Sequence, residues 1–161
     1  MIAVGIDPGL TGAAAFVDSR GTCAIIDMPT VALSGSGLIR RRIDGGALAR
    51  AMREYCPIGE PRVVAIEAVR TMGGKNNAVQ TQGSLMRTLG AIEAVLEVLR
   101  LSFDSVEPQV WKGFYGLGAS KKESMQKALT LYPDAPLRLA EHHNRAEALL
   151  IAHWKLRTSQ A

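Results

Sequence analysis

Three apolar segments follow one another within the first 28 residues, and the links between them are too short to hold a helix. Residues 2–6 (Ile-Ala-Val-Gly-Ile) run into Asp-Pro-Gly, a turn signal. Residues 12–18 (Gly-Ala-Ala-Ala-Phe-Val-Asp) follow, and Ser19-Arg20-Gly21 makes a tight reversal into residues 22–28. A parallel pairing needs a crossover of about a dozen residues or more, so this spacing predicts an antiparallel meander. A chain that opens in this way is committed to a sheet, and its later helices must cover that sheet.

The rest of the chain supplies the cover. Residues 29–46 lack periodicity and carry Arg40, Arg41 and Arg42, so they read as a long loop. Asp44 is placed to cap a helix whose apolar side holds Leu48, Met52 and Tyr55. Residues 62–67 (Arg-Val-Val-Ala-Ile-Glu) form a β-branched strand that ends in an acid, and a Gly-rich polar segment, 71–77, follows. Leu85, Leu89, Ile92, Leu96 and Leu99 then recur at helical spacing, with Gly83, Ser84, Gly90, Ala91 and Ala94 small enough to admit a close neighbour. Residues 103–106 read as a brief strand. Ser120 and Glu123 form a capping box for a helix over 121–131, and a last helix runs over about 144–155 with Ala146, Leu149, Leu150, His153 and Trp154 on its apolar pattern. The order β-β-β-α-β-α-β-α-α predicts an α/β fold, a mixed sheet with helices on both faces. One domain is expected over 1–157, with 158–161 a short C-terminal tail.

Composition narrows the class. With 161 residues, 47% hydrophobic and 21% charged, the chain can bury one core. Its apolar stretches are interrupted within about 8 residues, against the roughly 20 that a membrane span requires. The opening has no basic region and places an acid at position 7, which does not fit a signal peptide. Cys23 and Cys56 lie outside any CxxC motif and read as reduced thiols of a cytoplasmic protein. The net charge is +4, and its basic residues gather in or beside expected loops, which suggests a polyanionic partner.

Three acids stand where an acid is expensive unless something uses it. Asp7 ends the first strand, Glu67 ends the strand over 62–67, and Glu147 sits in Ala-Glu-Ala-Leu-Leu-Ile-Ala near the start of the last helix. Each alone has an ordinary explanation: a turn cap, a solvated strand end, a favourable charge at a helix start. Together they can converge at one end of a sheet, where α/β active sites lie. Carboxylates held close together call for a cation between them, and oxygen donors select Mg²⁺ or Mn²⁺. His143 is four residues before Glu147 and shares its face if the helix starts early; His142 is the alternative. Zinc fits poorly, because a structural zinc site wants about four ligands and the chain has 3 histidines and no paired-Cys motif. A two-cation site led by carboxylates would suit phosphodiester cleavage, with Lys112, Lys121 or Lys122 offsetting phosphoryl charge.

Ile2-Ala-Val-Gly-Ile-Asp-Pro-Gly-Leu-Thr-Gly, Ala65-Ile-Glu-Ala-Val, Pro108-Gln-Val-Trp-Lys and Arg145-Ala-Glu-Ala-Leu-Leu-Ile-Ala together resemble the RuvC-type Holliday junction resolvases, most closely their phage-like branch. The resemblance covers residues 2 to about 154. It implies a ribonuclease-H-like fold with a mixed five-stranded sheet flanked by helices. It also implies a homodimer on branched, four-way DNA, and symmetric Mg²⁺-dependent nicking that leaves 5′-phosphate and 3′-hydroxyl ends. Asp7, Glu67 and Glu147 match the metal-binding acids, Glu147 standing where Asp is commoner. Lys112 and one of Lys121 and Lys122 match the basic residues near the scissile phosphate.

Two positions depart from the family pattern. Where a further acid usually precedes the last one, this chain reads Glu141-His-His-Asn-Arg-Ala-Glu147, which leaves His143 as the expected ligand, then His142, then Glu141. Arg70 stands where an aromatic residue usually works at the junction centre. Expected nucleic-acid contacts are Arg40, Arg41, Arg42, Arg70, Lys75, Asn76, Asn77, Gln80, Lys112, Lys121, Lys122 and Arg145. No nucleotide cofactor is expected, since an actin-like ATPase would share Asp-Pro-Gly-x-Thr-Gly but needs a second subdomain. A non-catalytic binder of branched DNA and a hydrolase of RNA–DNA hybrids stay open as alternatives.

Overall fold

Bulky and small residues alternate along the central strands, and that alternation decides which helix covers which face. The computed structural model describes residues 1–34, 40–69, 79–138 and 140–159. Strands β1 (Ile2–Asp7), β2 (Ala13–Asp18) and β3 (Cys23–Asp27) form the expected antiparallel meander. A short ribbon of β4 (Thr30–Ala32) and β5 (Arg41–Ile43) follows, then α1 (Gly45–Tyr55), β6 (Arg62–Glu67), α2 (Val79–Val98) and β7 (Phe103–Val106). The chain continues through α3 (Pro108–Phe114), α4 (Lys121–Leu131), a 3-10 turn at Ala140–His142, and α5 (His143–Thr158). Strand β6 lies parallel to β1, and β7 parallel to β6. The order β3-β2-β1-β6-β7 is therefore the mixed five-stranded sheet that the order of elements predicts.

Val4, Ile6, Ala14, Phe16, Val64 and Ile66 belong to one core, where α1 and α2 cover them with Leu48, Met52, Ile92 and Leu96. The core on the opposite side draws Ala3, Ala13, Ala15 and Ala65 from the strands, packed with Ala148, Leu149 and Ala152 of α5. Small strand residues let α5 approach to backbone contact. A Cβ added at Gly5 would lie 2.2 Å from the Ala152 nitrogen and 2.3 Å from the Ala148 oxygen. Helix α5 thus rests directly on β1.

The structure adds to the expected order in two places. The segment read as a loop over 29–46 contains the β4–β5 ribbon, whose pairing sets Thr30 against Ile43 and Ala32 against Arg41. Its strands are three residues each, and Arg41 and Arg42 are exposed while Ile43 is buried, too short a pattern to show period-two alternation. Helix α3 is the second addition. Pro108 at its start fits a first helical turn, where the missing N–H is not needed.

Local capping is partly as expected. Asp44 accepts the Ala47 N–H at 2.9 Å and starts α1. Ser120 accepts the Glu123 N–H at 3.4 Å, but the Glu123 carboxylate takes the Gly118 N–H at 3.4 Å, so it reaches past Ser120. On α2, an added Cβ at Gly83 or Gly90 would meet nothing within 4 Å, so among the described residues these two glycines serve no close approach. Cys23 and Cys56 are free thiols. Among the described residues, no helix is long and apolar enough to cross a membrane.

Candidate active site

Parallel pairing of β1 with β6 sets Ile6 opposite Ile66, so Asp7 and Glu67, one residue further on, leave the same end of the sheet side by side. The chain then turns sharply after Asp7. A Cβ at Gly12 would lie 2.0 Å from the Asp7 carbonyl oxygen, so only glycine fits the return into β2. Glu147 comes to the same place from the first turns of α5, four residues after His143 and on the same face. Two contacts fasten the start of α5 over this end. The Asn144 side-chain amide donates to the Thr11 carbonyl at 2.6 Å. The Arg145 guanidinium donates to both Asp27 carboxylate oxygens, at 2.5 and 2.6 Å.

Cationic and neutral donors surround the acids. The Lys112 ammonium lies 2.9 Å from the Glu147 carboxylate, a pair largely shielded from solvent. The Lys121 ammonium is 2.9 Å from Nε2 of His143. The Trp111 indole N–H donates to Oε2 of Glu67 at 2.8 Å. Burial, reinforced by the charges of Glu67 and Glu147 and opposed by Lys121 and Lys112, pushes the Asp7 carboxyl from an ordinary 3.8 up to about 7. Burial also raises Glu67, with Glu147 adding to the rise and the Trp111 hydrogen bond and Lys112 opposing it.

Asp7, Glu67, Glu147, Lys112 and Lys121 thus interact within one site, and His143 joins it through Lys121. The other candidates lie apart or are held elsewhere. Nδ1 of His142 accepts the Arg138 backbone N–H at 2.9 Å, which engages that ring in its own turn. Arg145 spends its fork on Asp27. Lys122, Arg40, Arg41 and Arg42 are exposed, with Arg42 also donating to the Ile43 carbonyl at 3.2 Å. Arg70, Lys75, Asn76 and Asn77 lie outside the described residues, as does the side chain of Gln80.

Among the described residues, no three His, Cys, Asp or Glu side chains are gathered closely enough to hold a metal ion as they lie. Lys112 engages Glu147 and Lys121 engages His143 in this arrangement. The donor set still suits a hard cation. It consists of carboxylates around a desolvated Asp7, and the positive charge that answers Glu147 is a lysine ammonium set where a cation would serve.

Trp111, Asn144 and Asp27 were not among the residues the sequence singled out for the site. Trp111 had a visible signal, since it directly precedes Lys112 in Pro108-Gln-Val-Trp-Lys, whereas the Asn144–Thr11 and Arg145–Asp27 contacts join residues more than a hundred positions apart.

The Lys112–Glu147 pair is a stability element as well as a site element. Glu147 is 8% exposed, so Lys112→Met strands a buried negative charge. The expected cost is about 3 kcal/mol, the low end for a broken buried pair because the ammonium keeps some contact with solvent. Adding Glu147→Gln to Lys112→Met should recover most of it. Urea unfolding of the two single variants and the double variant measures this; additive losses would show that the pair is not coupled.

Neither protein-family models nor curated proteins return a match to this sequence. Solved structures do match. RuvC of Thermus thermophilus superposes with a TM-score of 0.55 at 17% identity, over 99% of this chain and 97% of that one. T. thermophilus RuvC in complex with Holliday junction substrate superposes with a TM-score of 0.66 at 16% identity, over 100% and 98% of the two chains. At such identities the likeness shows the fold: the chain has the ribonuclease-H-like architecture of RuvC.

Proposed function

We propose that this chain is a divalent-cation-dependent endonuclease that nicks four-way DNA junctions symmetrically, leaving 5′-phosphate and 3′-hydroxyl ends. The observation that carries this reading is the convergence of Asp7, Glu67 and Glu147 from β1, β6 and α5 at one end of the sheet, with Lys112 and Lys121 among them. The shared fold with T. thermophilus RuvC in complex with Holliday junction substrate supports the choice of substrate. The motifs that resemble the phage-like RuvC branch support it independently.

Asp7, Glu67 and Glu147 would hold Mg²⁺ or Mn²⁺, two ions per site, with His143 assisting and His142 the alternative. Such cations supply an activated water and charge stabilisation at the departing 3′ oxygen. Lys112 and Lys121 would offset charge on the phosphoryl oxygens of the scissile phosphate with their ammonium groups. Lys122 and the exposed Arg40, Arg41 and Arg42 add phosphate contacts beside the cleft. A homodimer would present two such sites to a two-fold symmetric junction. A cytoplasmic location goes with this reading.

A second reading is favoured by one observation: the lysines already engage Glu147 and His143. If they hold these residues permanently, the protein binds branched DNA without cutting it. An end-labelled mobile four-way junction, incubated with the parent and with Glu67→Gln in Mg²⁺ and then Mn²⁺, separates the two. Paired nicks by the parent, reduced on the order of 100-fold or more in Glu67→Gln, are the expected result, because a cation's carboxylate ligands underwrite several kcal/mol of charge stabilisation. Junction binding without nicks in either metal would establish the binder instead.

A further inference from the structure

We infer that Trp111 is a positioning residue that fixes the Glu67 carboxylate for cation binding, a role that rests on the reading of Glu67 as a ligand. Glu67 is registered against Val106 across the β6–β7 pairing, and the Ala68 N–H donates to the Val106 carbonyl at 2.8 Å. Helix α3 starts two residues after Val106, so its first turns stand beside the end of β6. Trp111 and Lys112 are consecutive on this helix, and they meet two different acids of the site, Glu67 and Glu147.

The indole cannot drift. Trp111 is 0% exposed and lies in the same core as Ala65, Ala148 and Leu149, so packing on several sides fixes where its one N–H points. That N–H meets Oε2 of Glu67 at 2.8 Å. A carboxylate has about four lone-pair sites, so one indole donor leaves most of its capacity, including all of Oε1, for a cation. Glu67 is otherwise a side chain with three rotatable bonds, and the indole N–H limits the orientations its carboxylate can take. A donor on a rigid ring orienting a ligand carboxylate is the kind of outer contact whose loss lowers metal affinity about 10- to 100-fold.

The test measures Mn²⁺ binding to the whole protein by titration calorimetry. Trp111→Phe removes the N–H and keeps an aromatic ring. Because the smaller ring could disturb the core, a second variant carries β-(3-benzothienyl)alanine at position 111, which keeps the bicyclic shape and replaces N–H with sulfur. Glu67→Gln marks the site. The expected result is an Mn²⁺ Kd raised about 10- to 100-fold in the benzothienyl variant, with its circular-dichroism spectrum and its junction affinity in EDTA those of the parent. The Mg²⁺ concentration for half-maximal nicking should rise in the same proportion. An unchanged Mn²⁺ Kd in the benzothienyl variant, while Glu67→Gln binds weakly, overturns the role of Trp111 alone. A parent that does not bind Mn²⁺, or a Glu67→Gln protein that binds it as the parent does, overturns the reading of Glu67 as a ligand and this role with it.

Discussion

Asp7→Asn is expected to end junction nicking and, in the same molecule, to stabilise the cation-free fold at pH 8. Both effects come from one burial. The folded state holds the Asp7 proton up to about pH 7, whereas the unfolded chain releases it near 3.8. Between those values the native state binds the extra proton, so this group's contribution to stability falls as pH rises and is fully lost above about 7. At 1.36 kcal/mol per unit, the interval from 3.8 to about 7 corresponds to about 4 kcal/mol. An asparagine carries no titrating group and avoids that penalty, so a gain on the order of 2–4 kcal/mol is expected at pH 8 and little at pH 4.5. Urea unfolding in EDTA at the two pH values measures it; equal pH dependence in parent and variant would sink the electrostatic account. If the proposed function holds, nicking should fall by at least about 1,000-fold, since the lost carboxylate would be one of the cation's ligands. Mg²⁺ should then raise the melting temperature of the parent at pH 8 far more than that of Asp7→Asn, because a bound cation stabilises only a fold that can hold it.

A gain in stability coupled to a loss of activity separates a functional acid from a structural one. Asp18 illustrates the contrast. Its carboxylate accepts hydrogen bonds from Arg20 and from the Thr22 N–H, and these hold its pKa below the ordinary value. That acid favours its turn, whereas Asp7 is kept against a desolvation cost. Residues of the second kind are retained at the expense of stability.

The difference between what the sequence showed and what it concealed follows the range of the interactions. The meander and the strand ending in Glu67 are local: short apolar runs, turn residues and an acid at each tip. The joint placement of Asp7, Glu67 and Glu147 could be anticipated because parallel strands and a covering helix have one natural open end. Helix α3 was hidden because seven residues give too few periods, although Pro108 at its start was a usable sign. The β4–β5 ribbon was hidden by its arginines, which break alternation in strands of three residues. The fates of His142 and Arg145 depend on Arg138 and Asp27, and the second of these contacts spans most of the chain. No reading of residue type alone could show that one histidine is engaged in its own turn while its neighbour faces a lysine of the site.

Gly5→Ala is the substitution expected to harm the fold most. Its methyl group would fall 2.2 Å from the Ala152 nitrogen and 2.3 Å from the Ala148 oxygen, with the Ala152 Cα at 2.9 Å. These are backbone atoms inside a helix, so no rotamer change makes room. Either α5 lifts from β1 or the sheet bends, and the core formed by Ala3, Ala65, Leu149 and Ile151 opens with it. Overpacking of this kind costs about 3 kcal/mol or more when the obstacle is backbone. The site moves as well, because α5 carries Glu147 and His143. Gly83→Ala is the matched control. It lies in α2 with none of the described residues within 4 Å of the added methyl, so the same chemical change should be neutral or stabilise by up to about 1 kcal/mol. Adding Ala152→Gly to Gly5→Ala distinguishes a backbone obstacle from a side-chain one. Truncating that methyl leaves the Ala148 oxygen and the nitrogen at position 152 in place, so the double variant should unfold at no higher urea concentration than Gly5→Ala alone. Rescue by Ala152→Gly, or a parental midpoint for Gly5→Ala itself, would mean that α5 does not rest on β1 as closely as the structure has it, and that Glu147 owes its position to the Lys112, Asn144 and Arg145 contacts instead.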